Sequence, residues 1–110
     1  MADSILALGA NFQEIYEIIS TKFENVVVFD PVCGFFGREN AERDFQSGKE
    51  GDFFKSIICE FDRLAESADF VLVKPAKSVA NIGETELNLQ IARNLNVPVF
   101  CRENLSFFTR

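Results

Sequence analysis

Short apolar runs alternate with helical stripes along the chain, and that alternation predicts most of its elements. Ile5-Leu6-Ala7-Leu8 is a continuous apolar run closed by Gly9, the length of a buried strand. Asn11 follows, with Glu14 three residues on. That spacing is a capping box, in which each side chain satisfies an orphan amide of the first helical turn. Phe12, Ile15, Tyr16, Ile18, Ile19 and Phe23 then recur at helical spacing. Val26-Val27-Val28-Phe29 is a second, largely β-branched strand, and Asp30-Pro31 ends it.

Residues 31 to 50 break the rhythm, with Gly34, Gly37 and Gly48 and a dense charge mix from Arg38 to Arg43. The expectation is an irregular segment, with at most a short helix near Asn40 to Phe45. Such long loops in compact domains are commonly functional or mobile. Asp52 is placed to cap a further helix, whose stripe is Phe53, Phe54, Ile57, Ile58, Phe61, Leu64 and Ala65. Phe70-Val71-Leu72-Val73 is the third strand, closed by Lys74-Pro75. Gly83 to Asn96 reads as a helix with Leu87, Ile91, Ala92 and Leu95 on one face. Val97-Pro98-Val99-Phe100 is the fourth strand, and Pro98, lacking an N–H, moves it toward a sheet edge.

The order is βαβ(loop)αβαβ. Strands that are continuously apolar, not alternating, call for helices on both faces. The expected fold class is therefore α/β, a doubly wound three-layer sandwich around a four-stranded parallel sheet, and residues 1–110 read as one domain. In open parallel sheets ligands bind beyond the carboxyl ends of the strands. Asp30 and Lys74 both stand there, each between a strand and a proline, and form the candidate crevice.

Composition narrows the chemistry. The chain has 110 residues, 47% of them hydrophobic, which suffices for a core. Lys plus Arg total 11 against 17 for Asp plus Glu, a formal charge of −6. That balance argues against nucleic acid and against anionic membranes as partners. With no His, the Ser–His and Cys–His dyads and imidazole metal sites are excluded together. Cys33, Cys59 and Cys101 are an odd set without paired spacing, and read as reduced small hydrophobes of a cytoplasmic protein. The N-terminus has no basic, apolar leader pattern, and no run reaches the roughly 20 apolar residues of a membrane helix.

Few residues suggest catalysis. A phosphate-binding first turn needs a long glycine-rich loop, then Lys and Ser or Thr. Gly9-Ala10-Asn11-Phe12-Gln13-Glu14 has one glycine, no lysine and no hydroxyl, and puts Glu14 where an anion would sit. It reads as a degenerate P-loop. Asp44, Glu50, Asp52, Glu84 and Glu86 are carboxylates without a fixed spacing, and the last two suit a helix dipole. Arg38 and Arg43 lie among mixed charges and read as solvated. No catalytic residue, metal ligand or cofactor-binding residue is assigned, and no cofactor is expected.

The segment from Phe53 to Phe100 nevertheless resembles a known family. Asp69 leads into Val71-Leu72-Val73, and Asn88, Ile91, Ala92, Leu95 and Asn96 fit the form N-x-x-I-A-x-x-L-N. Together they are similar to the N-terminal, dethiobiotin-synthetase-like domain of long-form bacterial phosphate acetyltransferase, with its "VLVEG" strand. Val28-Phe29-Asp30-Pro31 resembles that domain's "VFKP" strand end. Against the family pattern the charges are inverted, with Asp30 for lysine and Lys74 for glutamate, as if an ion pair had exchanged polarity. The resemblance implies a strand order 2-3-1-4 with Asp30 and Lys74 at one edge of adjacent strands.

It also implies an N-terminal piece of a larger protein. The function expected is that of a non-catalytic regulatory or organising domain, in a parent that converts acetyl-CoA and phosphate to acetyl phosphate and CoA. Its partners would be the remainder of that acyltransferase and a second copy of itself. The alternatives are a stand-alone nucleotide-binding or dethiobiotin-synthetase-like enzyme, and an interaction module that completes its sheet with a partner. Ending at strand four would leave an apolar edge near Leu105, Phe107 and Phe108, to be covered by the tail or, the slightly favoured expectation, by a second copy.

Overall fold

The computed structural model describes residues 3–8, 11–101 and 106–108 of the chain. One interior strand of its sheet is buried along its whole length. All four side chains of β3 (Phe70–Val73) are buried, and the strand lies between β2 (Val26–Phe29) and β1 (Asp3–Leu8). Both neighbours run parallel to it, in register from Val26 opposite Phe70 and from Asp3 opposite Phe70. β4 (Val99–Cys101) pairs in parallel with the far side of β1. The parallel strands thus lie in the order 2-3-1-4, as expected.

Alternate residues of each strand feed two cores. Leu6, Val71, Val73 and Phe29 face α3 (Glu50–Ser67) and α4 (Glu84–Leu95), which bring Phe53, Ile57, Phe61, Leu87, Ile91 and Leu95. Ala7, Phe70 and Leu72 face α1 (Phe12–Ser20), where Ile19 is buried and Phe12, Ile15 and Tyr16 pack around it. The single helix on this side returns the chain from β1 to β2 past β3. The other two strand-to-strand connections run in the opposite sense across the sheet, and right-handed crossover places their helices on the opposite face. The α1 layer is therefore thin, which leaves Ile18 52% and Val28 40% exposed.

The segment expected to be irregular is ordered, and the short helix allowed near Asn40 to Phe45 is present and longer than expected. Pro31–Phe36 forms one wide helical turn, and α2 (Arg38–Gln46) follows after a single residue. The Asp30 backbone carbonyl accepts from both Gly34 and Phe35, and its carboxylate accepts from the Cys33 amide. A side chain at Gly34 would press its Cβ to 2.9 Å from that of Asp30. Gly37, at φ +96°, makes the sharp exit into α2. Beneath α2, Phe45 packs against Phe53 and Phe54 with ring centroids 5.5 and 5.9 Å apart, and Phe36 meets Phe53 edge-on at 5.0 Å. The missed order thus came from phenylalanines spaced across three elements.

Two smaller expectations are corrected. Asp52 does not cap α3, which begins at Glu50, so Asp52 and Glu50 instead place carboxylates in its first turn. The fourth strand is not the edge. β5 (Ser106–Phe108) pairs antiparallel with β4, Val99 opposite Phe108, so the tail and not a second copy covers it. Pro98 precedes the Val99–Cys101 strand and contributes its carbonyl to the Leu6 amide at 2.9 Å. Leu105 lies outside the described residues. Among the described residues, no helix is long and apolar enough to cross a membrane.

Removing residues 103–110 should bare the outer side of β4. The expected result is a lower thermal midpoint, by about 4–8 °C for each kcal/mol lost, and association that grows with concentration. Calorimetry with light scattering checks both. A shortened chain as stable and as monodisperse as the full one would show that β5 protects nothing.

Candidate functional site

The carboxyl ends of β2 and β3 lie side by side, with Phe29 opposite Val73 and the Lys74 amide bonded to the Phe29 carbonyl at 2.8 Å. Asp30 and Lys74 therefore do share one edge, as the sequence led us to expect. They do not form the expected ion pair. The Asp30 carboxylate turns into its own chain to accept from the Cys33 amide at 3.2 Å, capping the wide turn. The Lys74 ammonium instead lies 5.6 Å from the centroid of the Phe12 ring, a cation–π distance. The inverted charges are thus neighbours by backbone and strangers by side chain.

The first β–α turn meets this edge through Phe12. Asn11 caps α1 as predicted, its Oδ1 accepting from the Glu14 amide at 3.1 Å. An amide of the first helical turn is thereby committed to a side chain of the protein. Gly9 and Ala10, on which much of the degenerate-loop reading rests, lie outside the described residues.

Of the residues that order this region, Asn88 and Glu42 were not singled out as site candidates, and Arg38 was expected to be solvated. Between Lys74 and Gly83 the chain makes a long connection whose backbone must be bonded if it is to be buried. Asn88, on the inward face of α4, is fully buried and supplies the bonds. Its Nδ2 donates to the carbonyls of Ala76 and Glu84, and its Oδ1 accepts from the Ala76 amide, each at 2.8 Å. Further along, Glu42 of α2 accepts from the Ala80 amide at 3.0 Å, while Arg38 donates to the Ser78 carbonyl. Arg38 and Glu42 are themselves 3.8 Å apart. Ala80 sits at φ +53°, unusual for a residue with a Cβ, at the head of a tight turn closed by mutual Val79–Ile82 bonds. The signal in the sequence for Asn88 was an amide among apolar positions, since residues 88, 91, 92 and 95 share a helix face.

The remaining candidates disperse. Arg43 bonds Asn40 on its own helix at 2.6 Å, so the two arginines do not converge on a common anion. Glu84 and Glu86 occupy the first turn of α4, and Glu86 accepts from Gln90. Arg63 donates twice to Glu60 and holds that carboxyl below its ordinary range, though water screens the pair. Among the described residues, no group of three or more acidic, cysteine or histidine side chains is placed to hold a metal ion. Cys33 and Cys59 are free thiols at the surface. No protein-family model, curated protein or solved structure matches the chain.

Two measurements test this arrangement. Asn88→Ala would strand the Ala76 amide and carbonyl in a dry interior, and should cost about 2–4 kcal/mol in urea unfolding. A loss below about 0.5 kcal/mol would mean that the connection is not held by Asn88. For Asp30 and Lys74, a double-mutant cycle with Asp30→Asn and Lys74→Met should be additive to within about 0.3–0.5 kcal/mol. Coupling well above that would restore the ion pair.

Proposed function

We propose that the chain is a non-catalytic regulatory or organising α/β domain, of the kind that phosphate acetyltransferases carry ahead of their acyl-transfer domain. The observation that carries this reading is the state of the first helix. In a phosphate-binding relative the opening amides of α1 face an anion, whereas here the Glu14 amide is taken by Asn11. The neighbouring charges point the same way, since Asp30 caps a turn and Lys74 lies on Phe12. Groups that a synthetase-type relative would direct at nucleotide and magnesium are directed here at the chain itself. The strand order, and the asparagine at position 88 within an N-x-x-I-A-x-x-L-N helix, support the same relationship.

In this reading the domain contributes surface and rigidity to an enzyme that makes acetyl phosphate and CoA from acetyl-CoA and phosphate. The chemistry belongs to the parent's other domain. Substituting this chain for the corresponding domain of a phosphate acetyltransferase should leave kcat near that of the isolated catalytic core while changing the enzyme's assembly or effector response. An enzyme unchanged in both respects would defeat the proposal.

The competing reading, a nucleotide-dependent enzyme, makes the opposite forecast for ATP. Titration calorimetry with millimolar ATP and Mg²⁺ should show no saturable heat, because Gly9 to Glu14 offers neither lysine nor hydroxyl. Saturable binding that perturbs the Asn11 and Glu14 amides would replace the organising domain with a synthetase-like enzyme.

A further inference from the structure

The two edges of the sheet are finished differently. On one side the short antiparallel β5 lies beyond β4 as the outermost strand, whereas on the other side β2 ends the sheet. The bonds at the ends of β2 fix which of its groups look outward. Asn25 and Phe29 give their carbonyls to Phe70 and Lys74 of the β3 strand and its extension. Odd-numbered residues therefore bond inward, and the N–H and C=O groups of Val26 and Val28 point away from the sheet. Val28 is 40% exposed, so the outward backbone comes with accessible apolar surface. Such an edge is a template for another strand.

Charge selects among the strands that fit. Glu24 and Asp30 lie two positions beyond Val26 and Val28 on the same alternate set. Glu24 is exposed and has no ion-pair partner among the described residues, and only one Asp30 oxygen is engaged, by Cys33. A second copy is a poor occupant. The twofold pairing that satisfies all the outward groups sets Val26 opposite Val28 of the second copy, and it also sets Glu24 opposite Asp30 twice. We propose that the outer edge of β2 is a docking edge for an extended segment of another protein, with the pattern basic-x-apolar-x-apolar-x-basic. Run antiparallel, its apolar residues face Val28 and Val26, and its basic residues face Asp30 and Glu24. Main-chain bonds supply the affinity and the flanking charges supply the choice of partner.

The test is a nuclear magnetic resonance titration of the labelled full chain with two peptides, KTVTVTK and ETVTVTE, both capped at their ends. The basic peptide should shift the Val26 and Val28 amides and slow their hydrogen exchange, binding at least tenfold tighter than the acidic one. Glu24→Lys should reduce or reverse that preference. Val28→Pro deletes an outward N–H and no β3 bond, and should abolish binding with the rest of the spectrum retained. If that variant fails to fold, the Glu24→Lys comparison still decides. Equal binding of both peptides, or no response at Val26 and Val28 at millimolar peptide, would overturn the proposal. So would protection of Val28 that rises with chain concentration alone, which would give the edge to a second copy.

Discussion

A single buried amide sets the geometry of the end of the sheet where ligands bind in related architectures. Asn88 has no exposed surface, and taking a carboxamide out of water is costly unless its donors and acceptor are all used. Here its two N–H donations and one carbonyl acceptance go to main-chain groups of α4 and of the connection after β3. The exchange runs both ways, because Ala76 also needs partners to be buried. Each group makes the other affordable, so neither the helix nor the connection adopts this position alone. Polar contacts of this type constrain geometry more tightly than apolar ones, which tolerate sliding.

From that fixed point the rest of the edge follows. With Ala76 held by α4, the chain beyond it passes over α2, where Arg38 and Glu42 engage Ser78 and Ala80. The positive φ of Ala80 is sustained by contacts on both sides of the turn. α2 is held in its turn by Phe45 against Phe53 and by Ala41 in the core. Helix, connection and aromatic cluster thus brace one another around the ends of β2 and β3. At those ends one Asp30 oxygen caps the turn after β2, and Lys74 lies over Phe12 of α1.

What the sequence made legible follows from the range of the interactions concerned. The four parallel strands and α1, α3 and α4 are written in local periodicity, whereas the order of the strands came from the family resemblance. The cap at Asn11 is also local, three residues from its amide. A short helix near Asn40 to Phe45 could be read, but the order of Pro31–Phe36 and the full length of α2 could not, because they depend on Phe53 and Phe54 of another helix. The fate of Asp30 and Lys74 was hidden for a different reason. Backbone register could be inferred, but a side chain chooses among all the groups within its reach, and each found one outside the pair, in the Cys33 amide and the Phe12 ring. Cover of the β4 edge by the tail was one of two expectations and the less favoured, because Ser106–Phe108 is too short to announce a strand.

The two edges of the sheet manage their unpaired main-chain groups differently. An all-parallel sheet cannot close its own edges with tight hairpins, because its connections must cross over a face. On one side the chain reverses direction once, after β4, and covers it with antiparallel β5, three residues long, which becomes the edge. On the other side no such reversal occurs, since β2 leads directly into the Asp30-capped turn and on to α2. The β2 edge is instead kept to four residues and bracketed by Glu24 and Asp30, which is how natural sheets discourage indiscriminate pairing. Acids at both ends repel a copy of the same edge while leaving the main-chain groups of Val26 and Val28 open. The same acids that disfavour pairing of two β2 edges would therefore also set the charge of any strand that could join one.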